Sequence, residues 1–119
     1  MNGIKYLLDT NFILGMLKKT PEVLNIITSR SLVAHECAYS SITRMELLGF
    51  PGITKNEESL IREKLEYLTY ISITPSVEDT VIQLRRTKKL KLPDAIIAAT
   101  ALVFQIELLT LDQQLLSGL

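Results

Sequence analysis

Apolar and polar positions along this chain change period from block to block. Residues 4–8 form a short apolar run that reads as a buried strand, ending at Asp9-Thr10-Asn11. Residues 12–18 read as helix, and Thr20-Pro21-Glu22 has the cap-plus-proline form of a second helix start, running to about Ser29. A second strand falls near residues 37–40, and the helix after it has Ser41 or Thr43-x-x-Glu46 as caps. Gly49-Phe50-Pro51-Gly52 breaks that helix. Thr54-Lys55-Asn56-Glu57 is a capping box ahead of an amphipathic stripe of Leu60, Ile61, Leu65 and Leu68. Residues 70–73 suit a third strand. Ser76 opens a helix with Val77, Val81 and Leu84 on one face, and Pro93-Asp94 opens another that is apolar almost all round and therefore buried. Residues 107–110 suit a fourth strand, with Asp112 just beyond. There is no repeat, low-complexity tract or Gly/Ser linker. Strands alternating with helices predict an α/β fold: one domain over residues 1–119, with a central parallel sheet of about four strands flanked by helices.

Ligands of such sheets bind beyond the carboxyl ends of the strands. Asp9 directly follows the first strand and Asp112 the fourth. Glu46 lies about one helical turn past the second strand, and Asp94 sits in the first turn of the apolar helix. All four acids are therefore expected at one edge. No lysine or arginine adjoins Asp9, Asp94 or Asp112 in this reading; only Glu46 has a close basic neighbour, Arg44. Two like charges about 4 Å apart repel by roughly 4 kcal/mol at an effective dielectric near 20, so the cluster calls for protons or a cation. Oxygen-only ligands favour Mg²⁺ or Mn²⁺, whose chemistry suits phosphodiester hydrolysis. Each acid also has a plainer role open to it. Asp9 can cap the first helix, as can Thr10 or Asn11. Asp94 suits the helix dipole, Glu46 can pair with Thr43 in a capping box, and Asp112 can be a turn residue. Capping alone does not require all four at one edge.

Composition narrows the setting. With 47% hydrophobic and 22% charged residues among 119, the chain is a folded globular protein rather than a disordered one. Thirteen basic residues balance thirteen acidic ones, so nucleic-acid binding must come from a local patch. Arg85, Arg86, Lys88, Lys89 and Lys91 supply one, just before Asp94, where they can hold nucleic-acid phosphates or simply form a solvated helix end. The single cysteine, Cys37, cannot form an internal disulfide and fits a reducing compartment. No secretory signal is legible, and the longest apolar segment, residues 95–104, is about half the length that spans a bilayer. A cytoplasmic protein with no membrane partner is expected.

The motifs resemble those of the PIN-domain ribonucleases, and specifically the VapC-like toxins of toxin–antitoxin pairs, over nearly the whole chain. Leu7-Leu8-Asp9-Thr10-Asn11 is similar to the opening motif. Ser41-Ile42-Thr43-Arg44-Met45-Glu46-Leu47-Leu48-Gly49 is a more specific match, Lys91-Leu92-Pro93-Asp94-Ala95-Ile96-Ile97-Ala98-Ala99-Thr100-Ala101 the strongest, and Leu109-Thr110-Leu111-Asp112 fits the closing motif. The resemblance implies that Asp9, Glu46, Asp94 and Asp112 are catalytic metal ligands for Mg²⁺ or Mn²⁺. It further implies endonucleolytic RNA cleavage with water as nucleophile, and supporting roles for Thr110, Thr10 and Asn11. A cognate antitoxin and a homodimer are implied partners, with Phe12, Leu14, Leu17 and Phe50-Pro51 as candidate contacts or, more plainly, as core. One departure is that Gln113-Gln114 follows Asp112 where many relatives carry another acid, which leaves a second metal open.

Other readings stay in view. A housekeeping RNA-processing nuclease would carry similar motifs, whereas an inactive PIN-fold binding module would usually lack one or more of the four acids, all of which are present here. A haloacid-dehalogenase-like phosphatase would need an Asp where Asn11 stands, and a response-regulator receiver would group two acids before its phospho-acceptor. His35, outside every motif, is read as structural. Tyr6, Tyr39, Tyr67 and Tyr70 are read as packing residues rather than base-stacking ones.

Overall fold

The computed structural model describes residues 3–112, 115 and 116. Its elements are β1 (Tyr6–Leu8), α1 (Thr10–Lys18), α2 (Pro21–Arg30), a 3₁₀ turn (Ala34–Glu36), β2 (Cys37–Ser40), α3 (Ser41–Leu48), α4 (Lys55–Glu66), β3 (Thr69–Ile71), α5 (Pro75–Thr87), α6 (Leu92–Phe104) and β4 (Glu107–Leu109). The four strands form one sheet in the order β3-β2-β1-β4, and every pairing is parallel. The predicted α/β class and sheet are therefore present.

Pleating explains how so short a sheet organises two cores, because successive side chains point to opposite faces. Leu7, Ala38, Ile71 and Leu108 face α5 and α6, joining Val77, Val81, Leu84 and the Ala95–Ala99 segment of α6. Leu8, Cys37, Tyr39 and Leu109 face the other way, onto Phe12, Ile13, Val23, Ile61 and Leu65 from α1, α2 and α4. On that second face α1 and α2 cross closely at Gly15. A Cβ there would lie 2.4 Å from Val23 Cγ2, a separation real side chains do not tolerate.

Several boundaries differ from the sequence reading, each for a local reason. β1 starts at Tyr6 rather than Ile4, although Lys5 still bonds both neighbours: its N–H donates to Glu36 O at 2.8 Å and its carbonyl accepts from Glu107 N at 3.0 Å. β3 runs Thr69–Ile71, starting one residue and ending two residues earlier than expected, because it pairs in register with Ala38–Ser40. α5 starts at Pro75, capped by Thr74, since proline is preorganised for the first helical position. The Thr54–Glu57 capping box forms as expected, with both reciprocal bonds present. Among the described residues no helix is long and apolar enough to cross a membrane.

Candidate metal centre

Parallel pairing brings the first and last motifs side by side. Leu8 pairs with Leu109, and Asp9 N donates to Leu109 O at 3.2 Å, so Asp9 and Thr110 leave the sheet as neighbours. Asp9 is buried, at 4% exposure, and both its oxygens are engaged. Oδ1 accepts from Phe12 N at 2.7 Å, capping α1, and Oδ2 accepts a short bond from the Thr110 hydroxyl. The capping role and the site role are thus carried by different oxygens of one carboxylate. Thr110 Oγ1 in turn accepts from Asp112 N at 3.0 Å, and Asp112 Oδ1 accepts from Leu115 N at 3.3 Å. A chain of hydrogen bonds therefore runs Phe12–Asp9–Thr110–Asp112 across the edge.

The other two acids arrive on helices. Glu46 projects from α3 and accepts from the Thr10 hydroxyl at 2.6 Å. Thr10 Oγ1 also lies 3.1 Å from Thr43 Oγ1. The expected Thr43–Glu46 capping box is not formed: Ser40 is the N-cap of α3, its hydroxyl accepting from Thr43 N at 3.4 Å, which leaves Glu46 free to bridge to α1. Asp94 occupies the first turn of α6, directly after Pro93, and is half-buried.

The charges of these groups act on one another. Burial pushes the Asp9 carboxyl above the usual carboxylate range; the Thr110 and Phe12 hydrogen bonds oppose this, and the charges of Asp112 and Asp94 reinforce it. Asp94 is raised for the same reasons, by burial first, then by Asp112 and Glu46. Lys91 lowers it, which corrects the expectation that no basic residue stands beside Asp94: Lys91 is the N-cap residue of α6, less than one turn away. Arg44, by contrast, lies on the far side of α3, lining a hollow with Tyr39, Arg62 and Glu66.

The donor set is chemically suited to a hard divalent cation, being carboxylate oxygen throughout. Among the described residues no three acidic, histidine or cysteine side chains close on one point. The acids thus form no closed cage. That arrangement fits a partly hydrated ion, since Mg²⁺ keeps several waters and takes one or two protein carboxylates.

The remaining expected residues divide clearly. Thr10 and Thr110 bond to the acids, whereas Asn11 is exposed. Arg85, Arg86, Lys88, Lys89 and Lys91 are all exposed and form no salt bridge among the described residues. His35 lies in the turn before β2, at the opposite edge of the sheet from the acids. Tyr39 packs edge-on against Tyr70 with ring centroids 5.7 Å apart. Phe12 is fully buried core, while Leu14 and Phe50 line a cleft beside Thr10 and Glu46. Gln113 and Gln114 lie outside the described residues. The sequence reading undervalued Ser40 and Thr43, whose three-residue spacing is a capping signature and whose hydroxyls underlie the Thr10–Glu46 contact.

Comparison with known proteins follows the same lines. No curated protein matches the sequence. Among solved structures, the chain is similar to one in a toxin–antitoxin complex from Klebsiella pneumoniae: 30% identity, 97% of this chain and 92% of that chain covered, TM-score 0.82. It is also similar to FitAcB from Neisseria gonorrhoeae, at 26% identity over 95% of this chain and 91% of that chain, with TM-score 0.76. VapBC2 from Rickettsia felis, bound to a DNA fragment from its promoter, shares the fold at 20% identity, 92% and 88% coverage and TM-score 0.75. Residues 6–117 match the family profile of the PIN domain, and the chain belongs to that family.

Proposed function

We propose that this protein is a divalent-metal-dependent endoribonuclease, acting as the toxin of a toxin–antitoxin pair. The observation that carries the reading is the gathering of Asp9, Asp94, Asp112 and Glu46, from four separate parts of the chain, at the carboxyl edge of one parallel sheet, where Asp112 and Asp94 help raise Asp9, and Asp112 and Glu46 help raise Asp94. Asp9, Asp94, Asp112 and Glu46 would hold Mg²⁺ or Mn²⁺; a bound ion supplies a more acidic water and offsets charge building on a phosphoryl group. Thr110 fixes the orientation of Asp9, and Thr10 that of Glu46, so the side chains meet a substrate phosphate without reorganising. The toxin role and an antitoxin partner rest on similarity to a chain of a toxin–antitoxin complex, and a homodimer on the resemblance of the sequence motifs alone.

The test is cleavage-site mapping on total RNA with purified protein, with and without Mg²⁺ or Mn²⁺. Discrete new ends that need the ion and vanish with Asp94→Asn support the proposal. RNA left intact by the metal-loaded wild type, or cleaved equally by the variant, refutes it.

A further inference from the structure

Two hydroxyls at the start of α3 are buried, and packing alone does not call for either. Thr43 is 0% and Ser40 1% exposed, and a buried hydroxyl is costly unless it is hydrogen-bonded. Ser40 has a local task, since its Oγ accepts from Thr43 N at 3.4 Å as the N-cap of α3. The Thr43 hydroxyl looks outside its own helix. Its Oγ1 lies 3.1 Å from Thr10 Oγ1, at the start of α1 and 33 positions away, and 3.5 Å from Ser40 Oγ. Thr10 Oγ1 in turn reaches Glu46 Oε1 at 2.6 Å. Glu46 is exposed, and this is its one hydrogen bond among the described residues. A long, solvated side chain is thus tethered at a single point, and that point is backed by a residue sealed in the interior.

Counting protons gives these contacts a direction. A hydroxyl carries one proton and two lone pairs. A carboxylate that holds a cation carries no proton, so Glu46 can only accept, and the Thr10 proton is spent on the 2.6 Å contact. The 3.1 Å contact between Thr10 and Thr43 is then a hydrogen bond only if Thr43 donates. Given the metal-site reading above, on which this step rests, we infer that Thr43 is a positioning residue of that site: its buried O–H donates to Thr10 Oγ1 and so commits the one Thr10 proton to Glu46. With a hydrocarbon in place of the Thr43 hydroxyl, Thr10 keeps one polar contact instead of two, and the torsions of Thr10 and Glu46 both loosen. Thr43 is well placed for this task. It is enclosed by the core, and it stands three positions before Glu46, on the same face of α3. Thr10 directly follows Asp9, so the same chain of bonds sets the helix-borne acid relative to the strand-end acid. Groups that orient a ligand from behind in this way govern metal affinity without touching the ion.

The experiment is a double-mutant cycle read by calorimetric titration of Mn²⁺ into the metal-free protein, with Tm measured on the same samples. Thr10→Val should weaken Mn²⁺ binding about 10- to 100-fold, and Thr43→Val roughly tenfold. The Tm of Thr43→Val should stay close to that of wild type, because valine keeps the shape of threonine and Ser40 still caps α3. Thr43→Ser, which keeps the hydroxyl, should bind Mn²⁺ like wild type. Thr10→Val/Thr43→Val should bind no more weakly than Thr10→Val alone, since the Thr43 hydroxyl then has nothing to act through. Thr43→Ala replaces the valine variant in the same cycle if that variant does not fold. Unchanged Mn²⁺ affinity in Thr43→Val, a Thr43→Ser variant as weak as Thr43→Val, or losses that multiply in the double variant each overturn the inference and leave the metal site standing. A wild type that binds no Mn²⁺ removes the metal site, and this inference with it.

Discussion

The two faces of the sheet are closed by different means. Against one lies α6, where Ala95, Ala98, Ala99 and Ala101 let the helix backbone approach the strands closely and the buried side chains are small. Against the other lie α1, α2 and α4, where Phe12, Ile13, Tyr39, Leu47 and Leu65 fill the space and leave an apolar cleft between α1 and α4. The first face delivers a rigid, charged helix end to the acidic edge; the second delivers an open, apolar one. A parallel sheet supplies only the two strand-end acids, Asp9 and Asp112. The helices on its faces complete the site, Asp94 from α6 and Glu46 from α3, and they also decide what flanks it.

The contrast can be broken at the edge itself. Asp94→Asn removes the α6 contribution without altering the alanine packing behind it, so the fold should persist while RNA cleavage falls by roughly 10³-fold, about 4 kcal/mol of transition-state stabilisation. Circular dichroism and a cleavage assay on the same sample check both halves. Retained cleavage would mean that α6 contributes no catalytic group.

A smaller effect is expected one hydrogen bond away. Thr110→Val leaves Asp9 Oδ2 without its donor, so metal affinity or activity should fall about 10- to 100-fold, with Thr110→Ser close to wild type. Equal losses in Val and Ser would point to packing at this position rather than to the hydroxyl.

The packing of the second face is tested at Gly15. Gly15→Ala would drive a methyl into the branched Val23 side chain, costing roughly 1–3 kcal/mol and lowering Tm by several degrees. Gly15→Ala/Val23→Ala should recover part of that loss. An unchanged Tm in the single variant would mean that α1 and α2 pack less tightly than described.

The smallest effect is electrostatic. Asp9 and Asp94 have folded pKa values raised above the unfolded value near 3.9, so the stability they confer is present in full below that pH and lost as pH rises through the folded values. Without metal, Asp94→Asn should therefore melt slightly higher than wild type at pH 7 and show no such gain at pH 3. Added Mg²⁺ should raise the wild-type Tm at pH 7 and leave the variant unmoved. A variant that melts lower than wild type at pH 7 without metal would contradict the assigned direction.

Much of this arrangement was legible in the chain because it is local. A strand ending at Asp9, an acid a few residues past the fourth strand, the Thr54–Glu57 capping box and the apolar helix behind Asp94 each depend on neighbours a few residues apart. The contacts that turn separate acids into a site are not local. Thr10 reaches Glu46 across 36 positions and Thr110 reaches Asp9 across 101, distances over which periodicity carries no information. The same limit explains the misassigned caps. Ser40 and Ser41 are equally good caps by type, and only the register of β2 against β1 and β3 decides that Ser40 ends the strand. The cleft beside Glu46 was not predicted either: Phe50 was read as a candidate partner contact or core residue, and its grouping with Ile53 and Ile61 depends on where α4 lies relative to α1.

The claim on which everything else depends is that these carboxylates bind a divalent cation together. Calorimetric titration of Mn²⁺ into the metal-free protein at pH 7 tests it directly, with wild type, Asp9→Asn and Asp94→Asn compared. Saturable binding by wild type, weakened at least about tenfold by either substitution in a folded protein, is the predicted result. No binding by wild type, or binding that both substitutions leave unchanged, would contradict it.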